Sequence, residues 1–125
     1  MSKSVFISFA GNNRDWVNKI NRWNQDGLLG SGIYISSERN DYRQEGDARI
    51  KQELSQLIQG ASVVLFLIGQ DTHNRYWVDY EVQQAQQRGK RILVARIPGT
   101  FGGKPIALSR YSEITLDPST LKSYL

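Results

Sequence analysis

Five short stretches of the chain are rich in β-branched and aromatic residues and bounded by polar residues or glycine. They are Ser4–Ala10 (SVFISFA), Gly32–Glu38 (GIYISSE), Ala61–Gly69 (ASVVLFLIG), Arg91–Ile97 (RILVARI) and Ser112–Asp117 (SEITLD). That pattern predicts strands. The first, third and fourth are almost continuously apolar, which marks strands covered on both faces, as in a parallel sheet. Between them the apolar spacing changes to three and four residues, the spacing of a helix. Trp16, Val17, Ile20 and Trp23 form one such stripe, with Gly27 placed to stop it. Ile50, Leu54, Leu57 and Ile58 form a second, with Asp47 placed as N-cap and Gly60 as the stop. Val78, Val82 and Ala85 form a third, closed by Arg88–Lys90, and Asp117-Pro118 opens a short fourth at the C-terminus.

The order is therefore β-α-β-α-β-α-β-loop-β-α. It predicts an α/β fold, a flavodoxin-like, open, doubly wound sheet of five mainly parallel strands, in a single domain over residues 1–125. The segment PGTFGGKPIALSRY (residues 98–111) reads as a loop or a broken helix because of its glycine and proline. In such sheets ligands bind outside the carboxyl ends of the strands where the strand order reverses. Here that point lies between the first and third strands. It draws in Ser8, Phe9, Ala10 and Gly11, residues 69–77, and the charged loop Ser37–Asp47, which is read equally as a lid or a solvated loop.

One helix carries an unusual residue. In NRYWVDYEVQQA (residues 74–85) a carboxylate, Glu81, stands among Tyr76, Trp77 and Tyr80. Trp77 and Glu81 are four residues apart and share a helix face, while Val78, Val82 and Ala85 point to the sheet. Glu81 then borders the buried stripe in the early turns of a helix whose positive end faces the crevice. A surface glutamate in a good helix-forming position would leave the same trace.

Composition narrows the chemistry. The 125 residues carry a net charge of +4 without a basic block, which fits a solubilised surface or a small anionic ligand and not a nucleic-acid stripe. With no cysteine there is no disulfide or thiolate metal site, and His73 is the only histidine, so no metal is expected. The longest apolar run, Ala61–Ile68, is too short to span a bilayer, and the N-terminus turns polar after one strand. A cytoplasmic protein with no membrane or nucleic-acid partner is the expectation. No GxGxxG, GxxxxGK[ST] or GxSxG motif is present. A phosphoacceptor receiver domain would need an acidic pair after the first strand, where the chain reads SFAGNN.

VFISFAG as the opening strand, and NRYWVDYEV after an apolar third strand, resemble the TIR domain family, and within it the compact bacterial TIR-like proteins of Thoeris antiphage systems. The resemblance runs from Val5 to about Ile97. It implies cleavage of the nicotinamide–ribose bond of NAD⁺ as substrate, with no other cofactor. Glu81 would be the catalytic carboxylate, stabilising positive charge on the ribose. Phe9 and Trp77 would wall in the nicotinamide and ribose, Ser8 and Ala10 would form the floor, and Arg39 would meet the diphosphate. The resemblance further implies a nucleotide product, a cyclic ADP-ribose isomer or another ADP-ribose conjugate, received by a separate effector protein. A phage-derived trigger and a homo-oligomer belong to the same picture. The loop ERNDYRQEGD lacks the Pro-Gly of adaptor-type members, so their interface is not expected. Two alternatives remain at this point. One is a nucleoside deoxyribosyltransferase-like enzyme, which also uses a glutamate on an N-glycosidic bond. The other is a catalytically silent module that self-associates through whichever of Trp16, Trp23 and Tyr34 prove exposed.

Overall fold

The computed structural model describes residues 3–9, 14–37, 47–70 and 75–125, without the side chains of residues 47 and 75–77. The elements run β1 (Lys3–Ser8), α1 (Arg14–Gln25), β2 (Ile33–Ser37), α2 (Asp47–Gln59), β3 (Val63–Ile68), α3 (Arg75–Gln87), β4 (Arg91–Arg96), a 3-10 turn (Ile106–Leu108), β5 (Glu113–Thr115) and α4 (Pro118–Tyr124). The sheet order is β2-β1-β3-β4-β5, and every neighbouring pair is parallel. This is the expected flavodoxin-like arrangement, with the reversal between β1 and β3.

Alternation along each strand splits the core into two layers. Val5, Ile7 and Phe9 of β1 and its exit, Leu65 and Leu67 of β3, and Ala95 of β4 pack beneath α1 and α4, touching Val17, Ile20 and Leu121. Phe6 of β1, Val64 and Phe66 of β3, and Val94 of β4 pack beneath α2 and α3, touching Ile50, Leu54, Val78 and Ala85. Every residue of β3 is buried, as the unbroken apolar run requires of a central strand.

The helix ends follow the local chemistry. Gly27 takes φ 77°, and the Gly27 and Leu28 amides donate to the Asn24 and Trp23 carbonyls, closing α1 with a left-handed residue. Gly89 does the same for α3 at φ 66°. Gly60 follows the last residue of α2 without a positive φ, so it stops that helix by another geometry. Asp117 caps α4, accepting from the Thr120 amide at 2.8 Å, with Pro118 in the first turn. That bond holds the Asp117 carboxyl below the usual aspartate range. The α2 cap expected at Asp47 lies outside the described side chains.

β5 is shorter than expected, whereas the glycine- and proline-rich segment before it is the loop with a broken helical turn that its sequence predicts. β5 keeps only three residues, because Ser112 and Leu116 leave the ladder at either end. Residues 98–111 resolve into an anchored loop and the 3-10 turn, whose Leu108 plugs the layer beneath α2 and α3. Trp16 and Trp23 pack partly buried against the α1 layer, whereas Tyr34 on the edge strand β2 is 64% exposed.

Candidate active site

Two buried polar residues, Ser8 and Glu81, meet at the carboxyl end of β1, where the strand order reverses. Ser8 ends β1, and its side chain follows Phe6 onto the α3 side of the sheet. Glu81 lies in α3 three residues after Val78 and four before Ala85, which puts it within about 60° of both on the helical wheel. The apolar stripe that docks the helix therefore carries the carboxylate inward with it. Both residues are 1% exposed, and Ser8 Oγ donates to Glu81 Oε1 at 3.0 Å.

Burying a carboxylate is costly unless it is hydrogen-bonded. An apolar residue at position 81 would pack the same face without that cost. The arrangement is thus suited to holding an acceptor oxygen in fixed geometry within a water-poor environment, where its field acts at greatest strength.

Phe9 faces the other way. It is one residue past Ser8, and its ring is buried in the layer beneath α1, with the Arg14 guanidinium 5.0 Å above it. The same alternation that points Ser8 at Glu81 points Phe9 away. The described structure thus brings Ser8 and Glu81 together and sets the Phe9 ring on the opposite side of the sheet. Ala10, Arg39 and the Trp77 side chain lie outside the described residues.

Two features at the carboxyl edge were not singled out from the sequence. Arg14, the first residue of α1, brings a cation to the end of β1; its place a few residues after the first strand was the available signal. The second is the connection after β4. Arg96 ends that strand and makes a paired contact with Glu113 of β5, Nε and Nη2 each donating at 2.8 Å. Its hydrogen bonds to Glu113 raise the Arg96 pKa and hold the Glu113 carboxyl below the usual glutamate range. The same guanidinium donates to the carbonyls of Thr100 and Gly102 at 3.3 and 2.9 Å. Gly102 then lies against the exit of β3, where a Cβ would come within 2.0 Å of the Gly69 carbonyl oxygen.

A separate groove of about 540 Å³ lies between α2, α3 and the 3-10 turn, lined by Lys51, Tyr80, Gln83, Gln86 and Arg110 among others. It includes neither Ser8 nor Glu81. Among the described residues there is no cluster of three or more side chains suited to a metal ion, and no helix is long and apolar enough to cross a membrane.

A family model described as "Thoeris protein ThsB, TIR-like domain" matches residues 6–101. Among curated proteins, the chain is 28% identical over 103 residues to one from Bacillus cereus (strain MSX-D12) named "Putative cyclic ADP-D-ribose synthase ThsB1". That alignment covers 74% of this chain and 50% of the relative, so the chain spans about half the length of the curated protein it matches. Among solved structures, the Clostridium botulinum CMP N-glycosidase BcmB superposes with a TM-score of 0.57, over 98% of this chain and 97% of that one. At 13% identity the likeness is one of fold.

Proposed function

The chain belongs to the ThsB TIR-like family of Thoeris proteins, and on that footing we propose that it cleaves the nicotinamide–ribose bond of NAD⁺ to make a nucleotide signal in antiphage defence. The observation that carries the reading is Glu81, a carboxylate 1% exposed and held by Ser8 at the point where the strand order reverses. The name of the Bacillus cereus relative agrees with it.

The chemistry asks little beyond a fixed carboxylate. The C1′–N bond breaks with its electron pair leaving on nicotinamide, which becomes neutral, and positive charge develops on C1′ and the ring oxygen. Glu81 stabilises that charge and accepts hydrogen bonds from the ribose hydroxyls. A hydroxyl oxygen of the ADP-ribose unit, losing its proton to solvent, or a ring nitrogen of its adenine, attacking through its lone pair and taking up the positive charge, then forms the new bond to C1′ and closes a cyclic ADP-ribose isomer. Water or another nucleophile in that place gives ADP-ribose or a conjugate. Ser8 positions Glu81, and Ala10 continues the floor. Trp77 is one helical turn ahead of Glu81 in sequence and is assigned to the nicotinamide wall, with Arg39 assigned to the diphosphate. Since the Phe9 ring lies in the α1 layer, its part in this reading is to pack the exit of β1 and meet Arg14. The product is received by a separate effector protein, and a phage-derived component triggers its formation.

The test is chromatography with mass detection of NAD⁺ incubated with wild-type protein and with Glu81→Gln, in buffer and in extract of phage-infected cells. Nicotinamide release by the wild type alone is expected, together with a co-product whose mass identifies cyclisation, hydrolysis or conjugation. CMP, the substrate named for BcmB, serves as the alternative N-glycoside. Cleavage of CMP in place of NAD⁺, or equal behaviour of the two proteins in both settings, overturns the proposal.

A further inference from the structure

The connection after β4 holds one large apolar side chain in water by unusually firm means. Phe101 is 86% exposed, the most exposed large hydrophobic residue described. Its backbone nonetheless is fixed on every side. The Phe101 amide donates to Gln70 Oε1 at 3.0 Å. Thr100 before it donates through Oγ1 to the Ile97 carbonyl, and its own carbonyl accepts from Arg96. Gly102 after it accepts from the same guanidinium and packs directly on the Gly69–Gln70 backbone. Lys104 donates to the Tyr111 carbonyl at 2.6 Å and ties down the far end. A loop that merely joined β4 to β5 would gain nothing from such anchoring around an exposed ring.

The position is as informative as the anchoring. Ser8 pairs with Phe66 in the parallel ladder, and Gly69–Gln70 follow directly after the end of β3 at Ile68. Through its contacts with Gly69 and Gln70 the Phe101 loop therefore sits beyond the level of Ser8, on the same carboxyl edge. At 86% exposure, with only Thr100 and two glycines, Gly102 and Gly103, beside it in sequence, the ring is left open to solvent. Protein docking hot spots are instead set among well-packed neighbours that exclude water. Open faces on a pre-ordered loop suit a flat ring, because little conformational entropy remains to be lost on stacking.

We propose that Phe101 is the stacking platform for the purine base of the dinucleotide, holding the adenine end while the nicotinamide end lies at Glu81. The inference rests on the NAD⁺ reading for its ligand, and its test does not depend on turnover. NMR titrations of wild type, Phe101→Ala and Phe101→Trp with AMP and with ribose 5-phosphate separate the base from the sugar phosphate. Stacking on an aromatic is worth about 1–3 kcal/mol per base, so Phe101→Ala should weaken AMP binding by roughly 5- to 150-fold. Phe101→Trp should restore it, and ribose 5-phosphate should bind all three alike. Equal AMP affinity in wild type and Phe101→Ala overturns the proposal, as does a parallel loss of both ligands. A change in self-association in place of AMP affinity, read by sedimentation, also overturns it and makes the ring a contact between copies. Retained AMP selectivity in a protein that never releases nicotinamide would sink the catalytic reading and leave the base platform standing.

Discussion

The two faces of the sheet are laid down by the same alternation, yet they are filled differently. Beneath α1 and α4 the buried residues are uniformly hydrophobic, from Val5 and Ile7 through Leu65 and Ala95 to Leu121. Beneath α2 and α3 an equally apolar layer is interrupted by Ser8 and Glu81, each 1% exposed. The first face is explained by packing alone. The second carries a cost that packing does not require, and the cost falls at the reversal point of the strand order. On the proposed reading, that cost serves a site.

The comparison can be broken most severely in the core. Leu65→Ala and Phe66→Ala remove neighbouring side chains from opposite faces, and each should cost about 3–5 kcal/mol in denaturant unfolding. If only one of the pair were costly, the two layers would not be the equivalent supports described. Gly102→Ala comes next. Its Cβ would meet the Gly69 carbonyl oxygen at 2.0 Å, so the loop after β4 must move. A loss of about 1–3 kcal/mol is expected, with faster hydrogen exchange at the Phe101 amide; unchanged exchange would refute the close approach.

Ser8→Ala sharpens the contrast directly, since it leaves Glu81 in place without the Ser8 hydroxyl. A cost of about 1–2 kcal/mol is expected from a lost hydrogen bond to a buried carboxylate, whereas Ser36→Ala at a half-buried, 3.5 Å contact should be near neutral. Equal effects would remove the distinction between the site and the rest of the sheet.

The smallest effect belongs to the Arg96–Glu113 pair. Its bond to Arg96 lowers the Glu113 pKa in the folded protein. The stabilisation is therefore present above the unfolded-state value and is lost as pH falls through the lower folded value. With side chains 26% and 29% exposed, the pair should contribute less than about 1 kcal/mol. Glu113→Gln should accordingly lower stability slightly at neutrality, by less than about 1 kcal/mol, and converge with wild type in acid, which flattens the acid side of the unfolding midpoint against pH. An unchanged acid limb would contradict the pairing.

What the sequence revealed, and what it hid, follows the same division. The strands, the helical stripes, the Asp117 cap and the Gly27 stop are each written in a few neighbouring residues, and they were legible. Glu81 was legible as an acid bordering a stripe, and the structure moves it from the border into the stripe itself. That Phe9 faces away from it was available in principle, because Ser8 and Phe9 are adjacent in a strand and cannot share a face. The anchored loop after β4 was hidden. Arg96, Gln70, Gly102 and Glu113 have no common period, and their meeting depends on how β3, β4 and β5 end in space.

The central claim is that Glu81 is buried for chemistry. Its most direct test is the rate of nicotinamide release from NAD⁺ by wild type and Glu81→Gln in extract of phage-infected cells, with both samples confirmed to be folded. The glutamine keeps the shape and can still accept the Ser8 hydrogen bond, while the charge is gone. The account predicts a loss of about 10²- to 10³-fold, the scale of removing one electrostatic stabiliser of a transition state, with an unfolding midpoint at least as high as that of wild type. An active Glu81→Gln protein would contradict it and return Glu81 to the list of structural residues.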